Sequence, residues 1–382
     1  MTTITCSDVI DSFNEPLLTT FQNQVSYRLY QVASFATEPI CLAHEYYIRS
    51  KVENLAKRLA LLSCAFFFAI LAAGTSLPGI ALREAASKIQ TKPFIHISNQ
   101  AAYLDQPKKF SLLSWNICCV GGGYTISDGG VLPWRSRIEK ITKEILKKNA
   151  DVTCLYETFD TQSAFYLAQK LQEAGYCDIF FNMGSKGVGV SSGILVASRY
   201  RIKNPHFTQF SKDLLVGRTK NAAKGLFSFD LSSKGKPFAT IFATHLQHSE
   251  IPQIPTPEER SAREKQMDII CEKIQKIANR CVLLTGDLNL DRDEANDSNW
   301  VKDFSEDDSI KETKTWGGDE FCAKLMKKEV SSPLNLDYTL LKKDSAESLS
   351  TTAIETGFEG DKYKKEALSD HLGLYSEITL KT

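Results

Sequence analysis

The pattern of apolar and polar positions changes near Phe110, after which short apolar segments are interleaved with amphipathic ones. Mostly apolar segments bounded by turn residues predict strands at 110–117, 150–157, 191–198, 224–231, 238–246, 280–288, 336–341 and 376–380. Amphipathic segments predict helices at 135–148, 161–174 and 257–278. Because strands and helices do not alternate regularly, we expect an α+β fold in which packed sheets are flanked by helices.

A second pattern lies upstream of these elements. Residues 59–82 contain no charged side chain, and Arg58 and Arg83 bracket them. As a helix this segment would be about 36 Å long, enough to cross a hydrocarbon core of roughly 30 Å. We therefore expect a single-pass, membrane-associated protein; the alternative is a buried helix of an N-terminal helical domain. Basic residues flank both ends, so the side of the membrane stays open.

These patterns divide the chain into an N-terminal helical region (1–58), the candidate transmembrane helix (59–82), a connector (83–108) and a catalytic-sized domain (109–382). The first 20 residues do not resemble a secretory signal. The chain has 46 basic and 46 acidic residues, and the domain alone has a net charge of −1. A nonspecific nuclease usually needs a basic stripe for the phosphates, and this balance does not predict one.

Polar side chains follow several of the predicted strands. They are Asn116, Glu157, His245, Gln247, His248, Asp287, Asn289, Asp337, Asp370 and His371. A single polar residue after a strand is usually a turn or a cap. Six such strand ends, most with a carboxylate or an imidazole, instead predict a shared site where the ends of packed sheets meet.

The residue types in this set indicate one kind of chemistry. Asn116, Glu157 and either Asp370 or Asp287 are oxygen ligands that suit a hard cation, Mg²⁺ or alternatively Mn²⁺. The ten cysteines show neither a CxxC pair nor a zinc-type His/Cys spacing. His371 is the candidate general base, and Asp337 would orient its ring. We therefore predict metal-assisted hydrolysis of a phosphate ester.

Two further assignments follow from the same chemistry. Asp287 and Asn289 could position a water molecule or hold the phosphate, and these two roles stay open. His245 could donate a hydrogen bond to a phosphate oxygen or to the leaving group.

The ordered segments SWN (114–116), LYE (155–157), THL (244–246), GDLN (286–289), LDY (336–338) and SDH (369–371) resemble the endonuclease/exonuclease/phosphatase superfamily of Mg²⁺-dependent hydrolases. The resemblance covers about residues 109–382 and implies a four-layer α/β sandwich. By this resemblance Asn116 and Glu157 match the metal-site positions. The other matches are Asp287 and Asn289 with the GDxN pair, Asp337 and His371 with the Asp–His couple, and Asp370 with the acid that precedes this His. Tyr156 departs from the pattern, since many members have Gln before this Glu.

Finer resemblances bear on the substrate. His245-Leu246-Gln247 and the pair Lys224-Gly225 are similar to segments of neutral sphingomyelinases, which implies that Lys224 and Gln247 bind substrate and that His245 assists the phosphate or leaving group. The sequence therefore predicts a phospholipase C-type, sphingomyelinase-like phosphodiesterase. The alternatives are a nuclease of the same superfamily and an inactive, membrane-tethered binding domain. Exposed aromatic side chains would favour lipid, and the candidates are Trp300, Trp316 and Phe321. For Trp316 we rather expect that it packs under the site.

Overall fold

The computed structural model describes residues 17–51, 53–99, 105–120, 131–184, 189–278, 280–317, 333–354, 357–358 and 366–381. Its helices are α1 (Leu17–Ser50), α2 (Leu55–Ile89), α3 (Ile138–Lys148), α4 (Thr161–Glu173), α5 (Pro257–Gln275) and α6 (Arg292–Asn296). Its strands are β1 (Ile95–Ser98), β2 (Lys109–Asn116), β3 (Val152–Tyr156), β4 (Asp178–Phe181), β5 (Leu195–Ser198), β6 (Arg201–Gln209), β7 (Gly225–Ser233), β8 (Lys236–His245), β9 (Cys281–Asp287), β10 (Phe304–Ser305), β11 (Asp337–Lys342), β12 (Ser348–Ile354), β13 (Gly357–Phe358), β14 (Glu366–Ala367) and β15 (Gly373–Thr379).

Two mixed sheets form the centre of the molecule. The first has seven strands in the order β1-β4-β5-β3-β2-β15-β12, and the second has six in the order β10-β11-β9-β8-β7-β6. Each sheet contains one parallel pair, β2 with β3 and β8 with β9, and its other pairs are antiparallel. Strands β13 and β14 form a separate two-stranded ribbon.

The two sheets pack face to face and helices cover their outer faces. Phe110, Val196, Phe227 and Leu283 belong to one buried cluster that joins the inner faces of both sheets. A second cluster joins the seven-stranded sheet to α3 and α4, and a third joins the six-stranded sheet to α5. This arrangement confirms the expected α+β sandwich, because each apolar sheet face is buried against another layer.

The N-terminal region forms a hairpin of α1 and α2 that is docked on the sandwich. Tyr30 of α1 and Ala86 of α2 belong to the same buried cluster as α3 and α4. Residues 83–108, predicted as a connector, contain the end of α2 and strand β1, which pairs with β4. The seven-stranded sheet therefore includes residues upstream of the predicted boundary at 108.

Helix α2 contains the predicted apolar segment 59–82 and extends beyond it at both ends. In its most apolar stretch only 6% of the residues are buried, so α2 is not the buried core helix that was the alternative. By length and composition, it is the one helix among the described residues that could cross a membrane.

Candidate active site

The predicted site residues converge at one edge of the two sheets. Parallel pairing places the ends of β8 and β9 side by side, with His245 opposite Asp287. Strand β11 runs antiparallel and begins at this edge, with Asp337 opposite Asp287. From the other sheet, Asn116 ends β2, Glu157 follows β3, and His371 lies two residues before β15. The shared edge that the sequence predicted is therefore present.

His371 and Asp337 form the predicted pair. The Nδ1 atom of His371 lies 2.8 Å from an Asp337 carboxylate oxygen, and both side chains are buried. Trp115 donates its indole N–H to the His371 carbonyl oxygen at 3.0 Å, which fixes the backbone of this residue. Burial alone would lower the pKa of His371, but the carboxylates of Asp337 and Asp287 raise it well above its usual value. These carboxylates therefore favour the protonated ring, and a cation bound among them would lower its proton affinity toward the range that suits a general base.

Asp287 lies at the centre of the arrangement. One of its carboxylate oxygens accepts a hydrogen bond from the Asn116 amide at 2.9 Å, and the other accepts from the Asn289 backbone N–H at 3.0 Å. The preceding residue must be glycine, because a Cβ atom on Gly286 would lie 1.9 Å from the Thr244 carbonyl oxygen. Asn289 has a φ of 52°, a left-handed conformation that Asn tolerates and that turns the chain out of the strand.

Glu157 follows a strand of the seven-stranded sheet and His245 ends a strand of the six-stranded sheet, and both lie near Asp287. The His245 Nε2 atom lies 3.4 Å from an Asp287 carboxylate oxygen and 3.9 Å from a Glu157 carboxylate oxygen. Burial lowers the pKa of His245 well below its usual value, so the ring is neutral. The pKa of Glu157 is raised to about 7, chiefly because the group is buried and secondly because the Asp370 carboxylate is close. Glu157 adopts a left-handed φ of 59°, which is uncommon for a non-glycine residue and is typical of functional sites.

These groups fit a divalent cation. Ligand atoms of Glu157, His245 and Asp287 lie within 4.8 Å of one another, as do those of Asp287, Asp337 and His371. Both ring nitrogens of His245 are buried and lack a hydrogen-bond partner among the described residues. The Asp370 carboxylate disfavours the charged form of Glu157, and a cation between them would offset this repulsion. The oxygen-rich set favours Mg²⁺ or Mn²⁺ over softer metals.

Asp370 and Asn116 have the remaining predicted metal-site roles. An Asp370 carboxylate oxygen accepts from the Trp316 indole N–H at 3.3 Å, which fixes its orientation. The side-chain oxygen of Asn116 accepts from the Cys118 backbone N–H at 3.1 Å. The hydrogen bond from Cys118 occupies one lone pair of the Asn116 oxygen, and the other lone pair can bind a cation.

The two predicted substrate-binding residues have different environments. Lys224 is buried, its Nζ atom donates to the Leu246 carbonyl oxygen at 3.0 Å, and burial lowers its pKa to about 7. It lines the same cavity as Glu157. Gln247 uses its amide within the protein, where it accepts from the Val216 N–H at 2.8 Å and donates to three oxygen atoms, including the Val216 carbonyl at 3.2 Å. These bonds make Gln247 a support for the neighbouring loop.

Arg137 is a positioning residue that the sequence analysis did not single out. Its guanidinium is buried and donates to four backbone carbonyl oxygens. Two belong to the segment after Asn116, and another is that of Leu368 before the Ser-Asp-His segment. Arg137 therefore joins two of the loops that carry site residues. Its place at the start of an amphipathic helix gives no signal for this role.

Two of the three aromatic candidates for membrane contact, Trp300 and Trp316, lie among the described residues. Trp300 is buried and packs at an angle to Phe304, with ring centroids 6.1 Å apart. Trp316 contacts Asp370 in the site, and Phe321 lies outside the described residues. The exposed large apolar side chains of the described residues after β2 are Val190, Ile251 and Ile254.

Comparisons with known proteins agree with this geometry. The model of the "Endonuclease/Exonuclease/phosphatase family" matches residues 113–371, more than half of the chain. A search of curated proteins gives no match. Among solved structures, beta toxin from Staphylococcus aureus with bound magnesium ions is similar at 19% identity and a TM-score of 0.56, covering 70% of this chain and 99% of that one.

Two further solved structures extend the comparison. Sphingomyelinase C from Streptomyces griseocarneus is 18% identical with a TM-score of 0.53, covering 71% of this chain and 99% of that one. D. rerio TDP2 complexed with a single-strand DNA product is 18% identical with a TM-score of 0.51, again covering 71% and 99%. At these identities the likeness concerns the fold.

Proposed function

Because this chain belongs to the endonuclease/exonuclease/phosphatase family, we propose that it is a divalent-metal-dependent phosphodiesterase that cleaves a phospholipid headgroup, as phospholipase C-type sphingomyelinases do. The observation that carries the proposal is the buried His371–Asp337 pair, which lies beside the carboxylates of Asp287 and Glu157. This combination provides a base, a group that orients it, and a cation site in one place.

In this mechanism each residue acts at a stated atom. His371 removes a proton from water at Nε2, while Asp337 holds the Nδ1–H and stabilises the charged ring. Asp287 and Asn289 position the water molecule, whose oxygen forms the new bond to phosphorus as the bond to the leaving oxygen breaks. Asn116, Glu157 and Asp370 would hold Mg²⁺ or Mn²⁺, which neutralises charge on the phosphate oxygens when bound.

The groups around the leaving oxygen and the phosphate complete the assignment. The neutral His245 ring donates a hydrogen bond toward the phosphate or leaving oxygen. Lys224 lies in the same cavity and contributes to phosphate binding. Gln247 acts indirectly, through the loop that it supports.

Exposed apolar side chains near the cavity support a lipid substrate. Val190 lines the cavity and is 38% exposed. Ile251 and Ile254 follow His248, which also lines the cavity, by three and six residues, and they are 57% and 73% exposed. Helix α2 adds further exposed apolar residues, including Phe66 and Leu77. We propose that these surfaces contact a membrane.

The experiment compares sphingomyelin vesicles and plasmid DNA with the purified full chain, because strand β1 lies outside residues 109–382. Phosphocholine release that needs Mg²⁺, stops with EDTA and is lost in His371→Ala supports the proposal. DNA nicking under the same controls, without lipid turnover, would identify a nuclease. If neither substrate is hydrolysed, the result would favour the remaining alternative, an inactive, membrane-tethered binding domain.

A further inference from the structure

The cavity beside Glu157 and His245 has one wall that the sandwich does not supply. The cavity, with a volume of about 340 Å³, is lined by Glu157 and His245 of the site. It is also lined by Thr37 and Cys41 of α1 and by Arg83 of α2. The N-terminal hairpin therefore borders the same cavity as Glu157, His245 and Lys224.

Specific contacts hold this wall in place. Within the hairpin, the Ser26 hydroxyl donates to the Ala86 carbonyl oxygen at 2.8 Å. Between hairpin and sandwich, Arg135 forms ion pairs with Glu38 and Glu45 of α1. Arg83 itself donates from Nη2 to the Gly189 carbonyl oxygen at 3.1 Å. The hairpin is thus fixed against the rim of the cavity by polar contacts as well as by its buried apolar face.

Arg83 makes no direct ion pair among the described residues, although the Asp160 carboxylate, which lines the same cavity, acts on its charge from a distance. The Arg83 side chain is partly buried. Its Nε atom is buried and has no hydrogen-bond partner in that part of the chain. Glu38 is paired with Arg135, and one carboxylate oxygen of Asp160 accepts from the Gln162 backbone N–H at 2.9 Å. A partly buried guanidinium without an anion is costly, and an oxyanion in the cavity would offset that cost.

We propose that Arg83 is a substrate-binding residue that contacts a phosphate oxygen of the headgroup, so that the N-terminal hairpin completes the active site. This inference rests on the proposed function, because it takes the cavity as the place where the phosphate ester binds. The planar guanidinium suits a phosphate, which it can contact through two N–H groups. Arg83 also follows the apolar segment 59–82 directly, and a headgroup at a membrane surface would meet it there.

The same phosphate chemistry could come from a phospholipid headgroup or from a nucleotide, so the test uses both. Phosphocholine and thymidine monophosphate are titrated into the full chain in detergent micelles with Mg²⁺, and affinity is measured by calorimetry. Arg83→Gln should weaken binding of the recognised ligand by at least about tenfold. Arg83→Lys, which keeps the charge, should recover part of the affinity. Arg58→Gln removes the same charge from the exposed opposite end of α2 and should bind as the wild type does.

The outcomes separate this inference from the proposed function. Equal affinity in wild type and Arg83→Gln would overturn the role of Arg83, as would a wild-type protein that binds neither ligand. Binding that depends on Arg83, without hydrolysis of any diester, would keep the contact and reject the proposed reaction. Thermal unfolding of each variant checks that the hairpin stays docked, and partial recovery by Arg83→Lys together with unchanged melting assigns the effect to the charge and the two N–H groups of Arg83.

Discussion

Replacing Asp337 with Asn would separate the charge of this carboxylate from its shape. The variant keeps a side chain of nearly the same size, and its amide oxygen can still accept from His371 Nδ1, which lies 2.8 Å from the carboxylate now. What is lost is the negative charge that raises the His371 pKa and that stabilises the ring when it takes a proton. The substitution therefore tests the base function rather than the packing.

The magnitude follows from this local change. General-base catalysis contributes about 10²- to 10⁴-fold in rate, so we expect kcat to fall within that range. The stability change should be much smaller. A charge-assisted hydrogen bond becomes a neutral one, at a cost on the order of 1–2 kcal/mol, which a domain with about 5–15 kcal/mol of stability tolerates. The variant should therefore be folded and nearly inactive.

A second buried Asp–His pair provides a matched control. Asp178 of β4 lies 2.9 Å from the ring of His96 on the edge strand β1 of the seven-stranded sheet, and the two side chains are buried about as much as those of His371 and Asp337. Because Asp178 also pairs with Arg201 at 3.3 Å, Asp178→Asn should lower the free energy of unfolding at least as much but leave kcat unchanged. The assay measures diester hydrolysis at saturating Mg²⁺, with urea unfolding of each variant. If Asp337→Asn keeps more than about a tenth of the activity, or if Asp178→Asn loses as much, the general-base assignment is wrong.

Three further predictions concern the scaffold and the surface. Gly286→Ala should destabilise the protein by about 3 kcal/mol or more, because its Cβ would meet the Thr244 carbonyl oxygen at 1.9 Å; unchanged urea unfolding would contradict this. Arg137→Lys should lower kcat by at least about tenfold, because an ammonium cannot serve four carbonyl oxygens, and wild-type turnover would refute the positioning role. The double variant Ile251→Ser and Ile254→Ser should weaken vesicle binding by about tenfold while a soluble diester is hydrolysed normally; equal loss on both substrates would exclude a membrane-contact role.

The sequence predicted the polar strand ends of the site because each lies directly after or before a strongly apolar segment. Asp287 follows RCVLLTG, and Glu157 follows ADVTCLY, so the apolar segment that predicts each strand also gives the position of the polar residue at its end. The same physics explains the predicted layers, since continuous apolar strands need cover on both faces. The convergence of these ends then follows from the sheet order, with β2 beside β3 and β8 beside β9.

Other features depend on contacts between distant segments and left no local signal. Strand β1 is four residues long and is defined by its pairing with β4, about 80 residues away. Strand β6 contains Pro205 and polar residues because it lies at the edge of its sheet. Gln247 matches a substrate-binding pattern, yet loop residues occupy its amide in the folded chain. The placement of Arg83 at the cavity likewise depends on the docking of the hairpin.

The active site spans the junction of the two sheets, and this has a consequence for how the protein would lose function. The bond from Asn116 to Asp287 and the bond from the Tyr156 hydroxyl to the Thr285 carbonyl oxygen join opposite sheets, and their partners are separated by 171 and 129 residues. His371, Glu157 and Asp370 lie at strand ends of the seven-stranded sheet. Asp337, which orients His371, begins a strand of the six-stranded sheet. Under mild denaturant, a slight loosening between the sheets would stop turnover while the helices and strands remain formed. Catalysis would then be a more sensitive indicator of interlayer packing than circular dichroism.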